Sequence, residues 1–260
     1  MRANYHTHTV RCMHATGSDE EYVLAAIEGG YDILGFSDHT PWPYRSGFVA
    51  NMRMDESSLE DYVNSIRVLK VKYKDKIEIK IGLECEYFSL YLPWLKETIK
   101  KYELDYVILG NHFYKSDESG IYFGTECLDK TMLDIYVDEA IEAMKTGIYA
   151  YLAHPELFMR GYPSFDKDVE EISYRLCRAA KEYDMPLEYN LNGKNIDMRL
   201  GARERYPHHR FWEIAAEIGC KAIVGVDCHY YEELSEPSLF DESKQYLRSL
   251  GLNVLDKLDL

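Results

Sequence analysis

The chain has 260 residues, 46% of them hydrophobic and 29% charged, the balance of a folded domain rather than a disordered segment. A formal net charge of −15 excludes a generally basic nucleic-acid-binding surface, so any phosphate chemistry needs a local positive field. No run of roughly 18 apolar residues occurs and the opening MRANYHTHTV lacks the apolar core of a signal peptide, so no membrane span is expected and a cytoplasmic protein is the default.

In chain order, the first strand is predicted over residues 3–9. Ser18-Asp19-Glu20-Glu21 then reads as a capping box opening a helix that stops at Gly29-Gly30. A second strand follows at 33–37. The clearest helix is 55–73, where Leu59, Tyr62, Val63, Ile66, Leu69 and Tyr73 form one stripe. Strands come next at 77–84 and 106–112. A helix over 130–146 follows Asp129 and ends at Gly147. A strand at 150–154, a helix at 166–183 and a strand at 187–191 continue the series. A helix over 207–218 carries Pro207 in its first turn, and a strand at 222–229 precedes a helix near 241–250.

Strands alternating with helices imply parallel βαβ units, about seven of them, in a single domain over 1–260. Alternation alone leaves a barrel and an open doubly wound sheet both possible. No dinucleotide, P-loop or G-x-S-x-G signature occurs. None of the six cysteines, Cys12, Cys85, Cys127, Cys177, Cys220 and Cys228, forms a C-x-x-C pair, and they read mostly as small core residues.

Seven of the nine histidines fall at the carboxyl ends of predicted strands or just after them: His6, His8, His14, His39, His112, His154 and His229. Glu84 ends the third strand and Asp227 lies near the end of the seventh. Side chains on a strand alternate faces, so His6 shares a face with His8, and Asp227 with His229. In a closed parallel barrel, all carboxyl ends converge on one mouth, which is where enzyme sites sit. Imidazole with carboxylate suits Zn, Mn or Fe, and nine such ligands need two to three divalent ions. Those ions would outweigh two carboxylates, attract a phosphate dianion and activate a water for in-line attack at phosphorus.

These residues resemble a known family. His6-Thr7-His8, Ser37-Asp38-His39, Gly82-Leu83-Glu84, Ala153-His154-Pro155 and Asp227-Cys228-His229 look like the motifs of the polymerase-and-histidinol-phosphatase (PHP) superfamily, in matching order over nearly the whole chain. The resemblance implies a distorted (β/α)7 barrel with a trinuclear metal centre. It implies a first ion on His6, His8, Glu84 and Asp227, a second on Glu84, His112 and His154, and a third on His14, His39 and His229. Glu84, Asp227 and His229 would carry catalysis. Within the superfamily, Gly35-Phe36-Ser37-Asp38-His39, Gly110-Asn111-His112-Phe113 and Glu188-Tyr189-Asn190 look like the histidinol-phosphate phosphatase branch. That branch implies hydrolysis of L-histidinol phosphate, a small phosphomonoester. The alternative is another ester: a small molecule, a phosphotyrosine protein or a nucleic-acid end, the last disfavoured by charge. Purely structural ions do not fit so many convergent ligands.

Phosphate recognition adds arginine, whose planar fork matches two oxygens. Arg160 follows the His154 strand end by six residues and is expected at the mouth. Among Arg199, Arg203 and Arg205 in the loop after strand six, Arg203 is the favoured phosphate ligand and the others read as surface charges. Gly193 is followed by Lys194-Asn195, a departure from the branch that leaves the choice of basic residue open. Asp38 either supports a ligand histidine or caps the next turn. Glu86 shares the parity of Glu84. Cys85 and Cys228 read as core, and His208 and His209 as solvent-exposed.

Overall fold

The apolar runs become the strands of one curled, all-parallel sheet, seen in a computed structural model that describes residues 1–118, 120–125, 129–162, 164–199, 201 and 205–260. The strands are β1 (Ala3–Asn4), β2 (Ile33–Phe36), β3 (Glu78–Cys85), β4 (Tyr106–Gly110), β5 (Leu152–Ala153), β6 (Leu187–Asn190), β7 (Lys221–Gly225) and β8 (Asn253–Val254). They lie in chain order, each hydrogen-bonded in parallel to the next. The helices between them are α1 (Asp19–Glu28), α2 (Leu59–Lys72), α3 (Leu92–Tyr102), α4 (Lys130–Lys145), α5 (Lys167–Glu182), α6 (Leu191–Arg199), α7 (His209–Ile218), α8 (Glu232–Ser235) and α9 (Ser238–Ser249). The alternation is that of a distorted β/α barrel.

Among the described residues, the sheet closes on itself at the carboxyl end. There Thr7, beyond β1, bridges Cys228, beyond β7: the His8 N–H donates to Cys228 O at 2.9 Å and the Cys228 N–H to His6 O at 3.1 Å. At the other end β7 pairs instead with β8, Lys221 opposite Asn253. The two-residue β8 was not anticipated from sequence; it is a wedge added to the seven predicted strands.

Two apolar layers hold the fold. The larger joins the outer sheet face to the helices, with Val63 and Ile66 of α2, Leu176 of α5 and Trp212 of α7 fully buried among strand residues such as Leu34, Leu109 and Leu187. The smaller fills the barrel beneath the mouth: Ala3, Tyr5, Ile33, Tyr106, Ile108, Tyr151, Ala153, Ile223 and Leu258. Inside it the Tyr106 hydroxyl donates to the backbone of Tyr5 at 2.6 Å and of Phe36 at 3.0 Å, satisfying carbonyls where the ladder is irregular.

The predicted caps form. Ser18 Oγ accepts from the Glu21 N–H while Glu21 Oε2 accepts from the Ser18 N–H, the reciprocal pair of a capping box. Asp129 caps α4, and Asp166, read as the first residue of its helix, is the cap of α5. Three helices, α3, α6 and the four-residue α8, have no counterpart in the sequence reading. In α3 only Leu95 and Thr98 are buried, too thin a stripe to detect. In α6 the chain turns straight from β6 into a helix because Asn190 Oδ1 accepts from the Gly193 N–H at 2.9 Å. Arg199 therefore ends a helix rather than lying in a loop.

Candidate metal centre

The structure brings all nine predicted ligands together at the carboxyl mouth. Glu84, on β3, is the hub. Its Oε2 lies 2.9 Å from His39 Nδ1 and 3.6 Å from both His6 Nε2 and His8 Nε2. Its Oε1 lies 2.9 Å from His154 Nε2 and 3.1 Å from His112 Nε2. Asp227 Oδ1 lies 3.1 Å from His8 Nε2, 3.4 Å from His6 Nε2 and 3.5 Å from His229 Nδ1. His14, His39 and His229 bring their ligand atoms within 4.8 Å of one another, as do His6, His8 and Asp227. His14 is exposed, and the others are buried or nearly so.

The donor atoms fit metal ions on direct grounds. His6 Nε2, His8 Nε2, His39 Nδ1, His229 Nε2 and Glu84 Oε2 are buried with no hydrogen-bond partner. A polar atom buried and unsatisfied costs about 1–3 kcal/mol, and this many in one pocket call for a shared partner. His112 Nε2 and His154 Nε2 face each other at 3.2 Å around the same carboxylate oxygen. Divalent transition-metal ions suit this nitrogen and oxygen set.

Each face of the cluster is held from behind. His6 Nδ1 lies 2.8 Å from Glu188 Oε1 on β6, and His112 Nδ1 lies 2.9 Å from Glu86 Oε1. His8 Nδ1 lies 3.4 Å from Asp38 Oδ1, which also accepts from the His39 N–H at 2.8 Å. Asp38 thus takes the first of its two expected roles, supporting a ring, and the ring is that of His8 on the neighbouring strand rather than the adjacent His39. Such supports fix ring orientation and tautomer. Glu188 was not picked out as one, although it sits at the same level of its strand as the ligands. Glu86 lies behind His112 instead of joining Glu84.

Electrostatics follow from burial and packing. Burial would raise Glu84 and Asp227, yet the surrounding imidazoles hold both well below the usual carboxylate range. Burial pushes His39 down to about 3 and His229 to about 4, leaving neutral rings with free lone pairs. In His8 and His112 burial is outweighed by neighbouring carboxylates, which raise them to about 9 and about 10.

Backbone geometry aims two ligands. His154 (φ 30°) and Asp227 (φ 52°) take left-handed conformations costing about 1–3 kcal/mol each in non-glycine residues. They stop β5 and β7 early, so Asp227 and His229 lie beyond the ladder rather than on alternating positions within it. Two glycines make room: a Cβ at Gly110 would meet Glu84 Oε1 at 2.5 Å, and one at Gly225 would meet Glu188 Oε1 at 1.8 Å.

Above the cluster opens a cavity of about 370 Å³, lined by the predicted ligands other than His6 together with Leu157, Arg160, Asn192, Ile196, Arg199, Tyr206 and Tyr230. Arg160 reaches it as expected, its Nη1 donating to the Tyr122 hydroxyl at 3.1 Å. Arg199 is a largely exposed surface charge, as read, and from the last turn of α6 it also lines the cavity mouth; its Nη2 donates to Glu233 Oε1 at 3.4 Å. Arg205 donates to the Arg160 carbonyl. Arg203 and Cys127 lie outside the described residues. Cys85 and Cys228 are buried as predicted, and Cys12, beside His8 and His229, is a buried thiol that desolvation keeps protonated. His209 is exposed, whereas His208 is half-buried and stacks on Phe165 at 4.5 Å.

A parallel barrel whose strand tips gather imidazoles and carboxylates beneath an arginine-rimmed cavity defines a metal-dependent phosphatase. The PHP domain model matches residues 4–192, and the chain belongs to that family. Asp227 and His229 lie beyond the matched stretch. The chain is 26% identical over 254 residues to a protein of Deinococcus radiodurans named probable histidinol-phosphatase, covering 95% of this chain and 92% of that one. A Schizosaccharomyces pombe protein of the same name is 26% identical over 279 residues, covering 98% and 89%. In fold the chain is similar to the Lactococcus lactis histidinol phosphate phosphatase crystallised with zinc, L-histidinol and phosphate: TM-score 0.72, 19% identity, covering 100% and 99% of the two chains.

Proposed function

We propose that this chain hydrolyses L-histidinol phosphate to L-histidinol and phosphate at a trinuclear centre. The observation that carries the reading is the convergence of nine ligand-type side chains, with orphaned donor atoms, under a cavity sized for one small molecule. His6, His8, Glu84 and Asp227 would hold one ion, Glu84, His112 and His154 a second, and His14, His39 and His229 a third. When bound, such ions supply a nucleophile from water at neutral pH and positive charge around the phosphoryl oxygens.

The chain's own residues do the rest. Arg160 and Arg199 stand at the rim to receive the phosphate, and Arg203 is proposed as a further phosphate ligand. Asn190 and Asn192 donate to Asp227 Oδ2 at 3.1 and 3.2 Å and fix its orientation toward the histidines. Leu157, Ile196, Tyr206 and Tyr230 offer an apolar and aromatic wall to the leaving group. The relatives named for histidinol phosphatase activity, matched along almost the full chain, support the choice of ester.

The test is phosphate release from a panel: histidinol phosphate, p-nitrophenyl phosphate, a phosphotyrosine peptide and a nucleoside monophosphate. Histidinol phosphate should lead in kcat/KM by at least about tenfold, or roughly 1.4 kcal/mol. A tenfold lead for another ester rejects the substrate and keeps the chemistry.

A further inference from the structure

The stretch between the Ser37-Asp38-His39 motif and α2 carries no motif of its own, yet it delivers a guanidinium that is only 1% exposed. Arg53 Nη2 donates to Glu86 Oε1 at 2.8 Å and its Nη1 to Glu86 Oε2 at 3.1 Å, a forked pair. Nη1 also donates to Thr40 O at 3.0 Å, and Nε to Asp117 Oδ2 at 3.0 Å. A buried charge persists only where it is fully paired, so this network is built rather than incidental.

Its two acidic partners lead to different parts of the site. Glu86 stands behind His112 at 2.9 Å, with its other oxygen accepting from Trp42 Nε1 at 2.7 Å. Asp117 belongs to a hairpin that starts immediately after His112. In that hairpin Phe113 pairs with Tyr122, the Tyr114 N–H donates to Ile121 O, and the Phe123 N–H returns to His112 O. Its returning arm places the Tyr122 hydroxyl against Arg160.

We propose that Arg53 is a positioning residue that sets both halves of the site at once: through Glu86 the imidazole of His112, and through Asp117 the hairpin that stations Tyr122 against Arg160. Among the described residues it is the side chain that contacts both carboxylates. Lysine cannot reproduce it, because an ammonium has three donors on one atom whereas Arg53 makes four bonds from three nitrogens spread over a planar fork. The hairpin keeps other anchors, since Tyr44 donates to Asp117 at 2.7 and 2.6 Å, and Tyr91 donates to Glu118 at 2.8 Å. Conservative variants are therefore expected to fold.

This role rests on reading His112 as a metal ligand and Arg160 as facing phosphate, so its test avoids turnover. Zinc-loaded protein is dialysed against a competing chelator and its zinc measured, and inorganic phosphate binding is measured by calorimetry. Circular dichroism checks that each variant is folded. Glu86→Gln should weaken zinc retention by about 10- to 100-fold. Asp117→Asn should keep its zinc and bind phosphate about tenfold more weakly. Arg53→Lys should show both defects. The proposal is overturned if folded Arg53→Lys matches wild type in either measurement, or if Asp117→Asn binds phosphate normally. Wild-type protein that retains no zinc overturns the metal-centre reading itself, whereas zinc retention without histidinol phosphate turnover removes only the substrate.

Discussion

At the scale of single residues, the site is organised around Glu84, which faces five imidazoles from both of its oxygens. Glu84→Ala should lower turnover by about a thousandfold or more and release metal, while circular dichroism still reports a folded barrel. Wild-type rates in that variant would remove Glu84 from the hub. The convergence of these nine side chains was legible in the sequence because strand tips repeat a chemical type, and repetition survives errors in strand boundaries. The pairing Asp227 with His229 illustrates this. Alternation put them on one face, and they do share the site, but through a left-handed Asp227 rather than a continuous strand. Arg53 was illegible for the opposite reason. Its segment has no periodicity, and its partners lie 33 and 64 residues away.

At the scale of elements, caps and apolar stripes announced α1, α2, α4, α5 and α7, since each is a local signal. Elements whose stability comes from tertiary contacts were silent: α3 buries little, α6 depends on Asn190, and β8 is two residues long. On α4, Glu139 offers a test of packing against solvation. Burial raises its carboxyl to about 7, although it accepts from the Lys115 N–H at 3.2 Å. Below the unfolded value near 4.5 the group is protonated in both states and costs nothing. As pH climbs from there to about 7, ionisation proceeds more readily in the unfolded chain, and stability is lost. The side chain is partly solvated, so the penalty above pH 7 is discounted to about 1 kcal/mol. Glu139→Gln should therefore raise the melting temperature by roughly 2–4 °C at pH 8 and by much less at pH 5. An equal gain at both values would contradict it.

At the scale of the whole molecule, the proposed metal centre would double as a clasp on the barrel. The side chains proposed as ligands come from the tips of β1, β2, β3, β4, β5 and β7, so bound ions would tie together strands that the ladder joins only to their neighbours. Each ion held at a hundred times its dissociation constant adds about 2.7 kcal/mol. Chelation should lower the melting temperature by several degrees and abolish phosphate release, with both restored by zinc. Unchanged melting on chelation would mean that the ions contribute nothing to the fold. No helix among the described residues is long and apolar enough to cross a membrane.

The chain beyond β7 joins the Thr7 seam above while the start of β7 pairs with β8 below, and the tail after β8 returns into the barrel, where the Leu258 N–H donates to the Tyr5 hydroxyl at 3.2 Å. The carboxyl tail is thus a plug under the rim: a change at Leu258 reaches Tyr5, one residue before His6, which makes the tail a poor place for grafts in this enzyme.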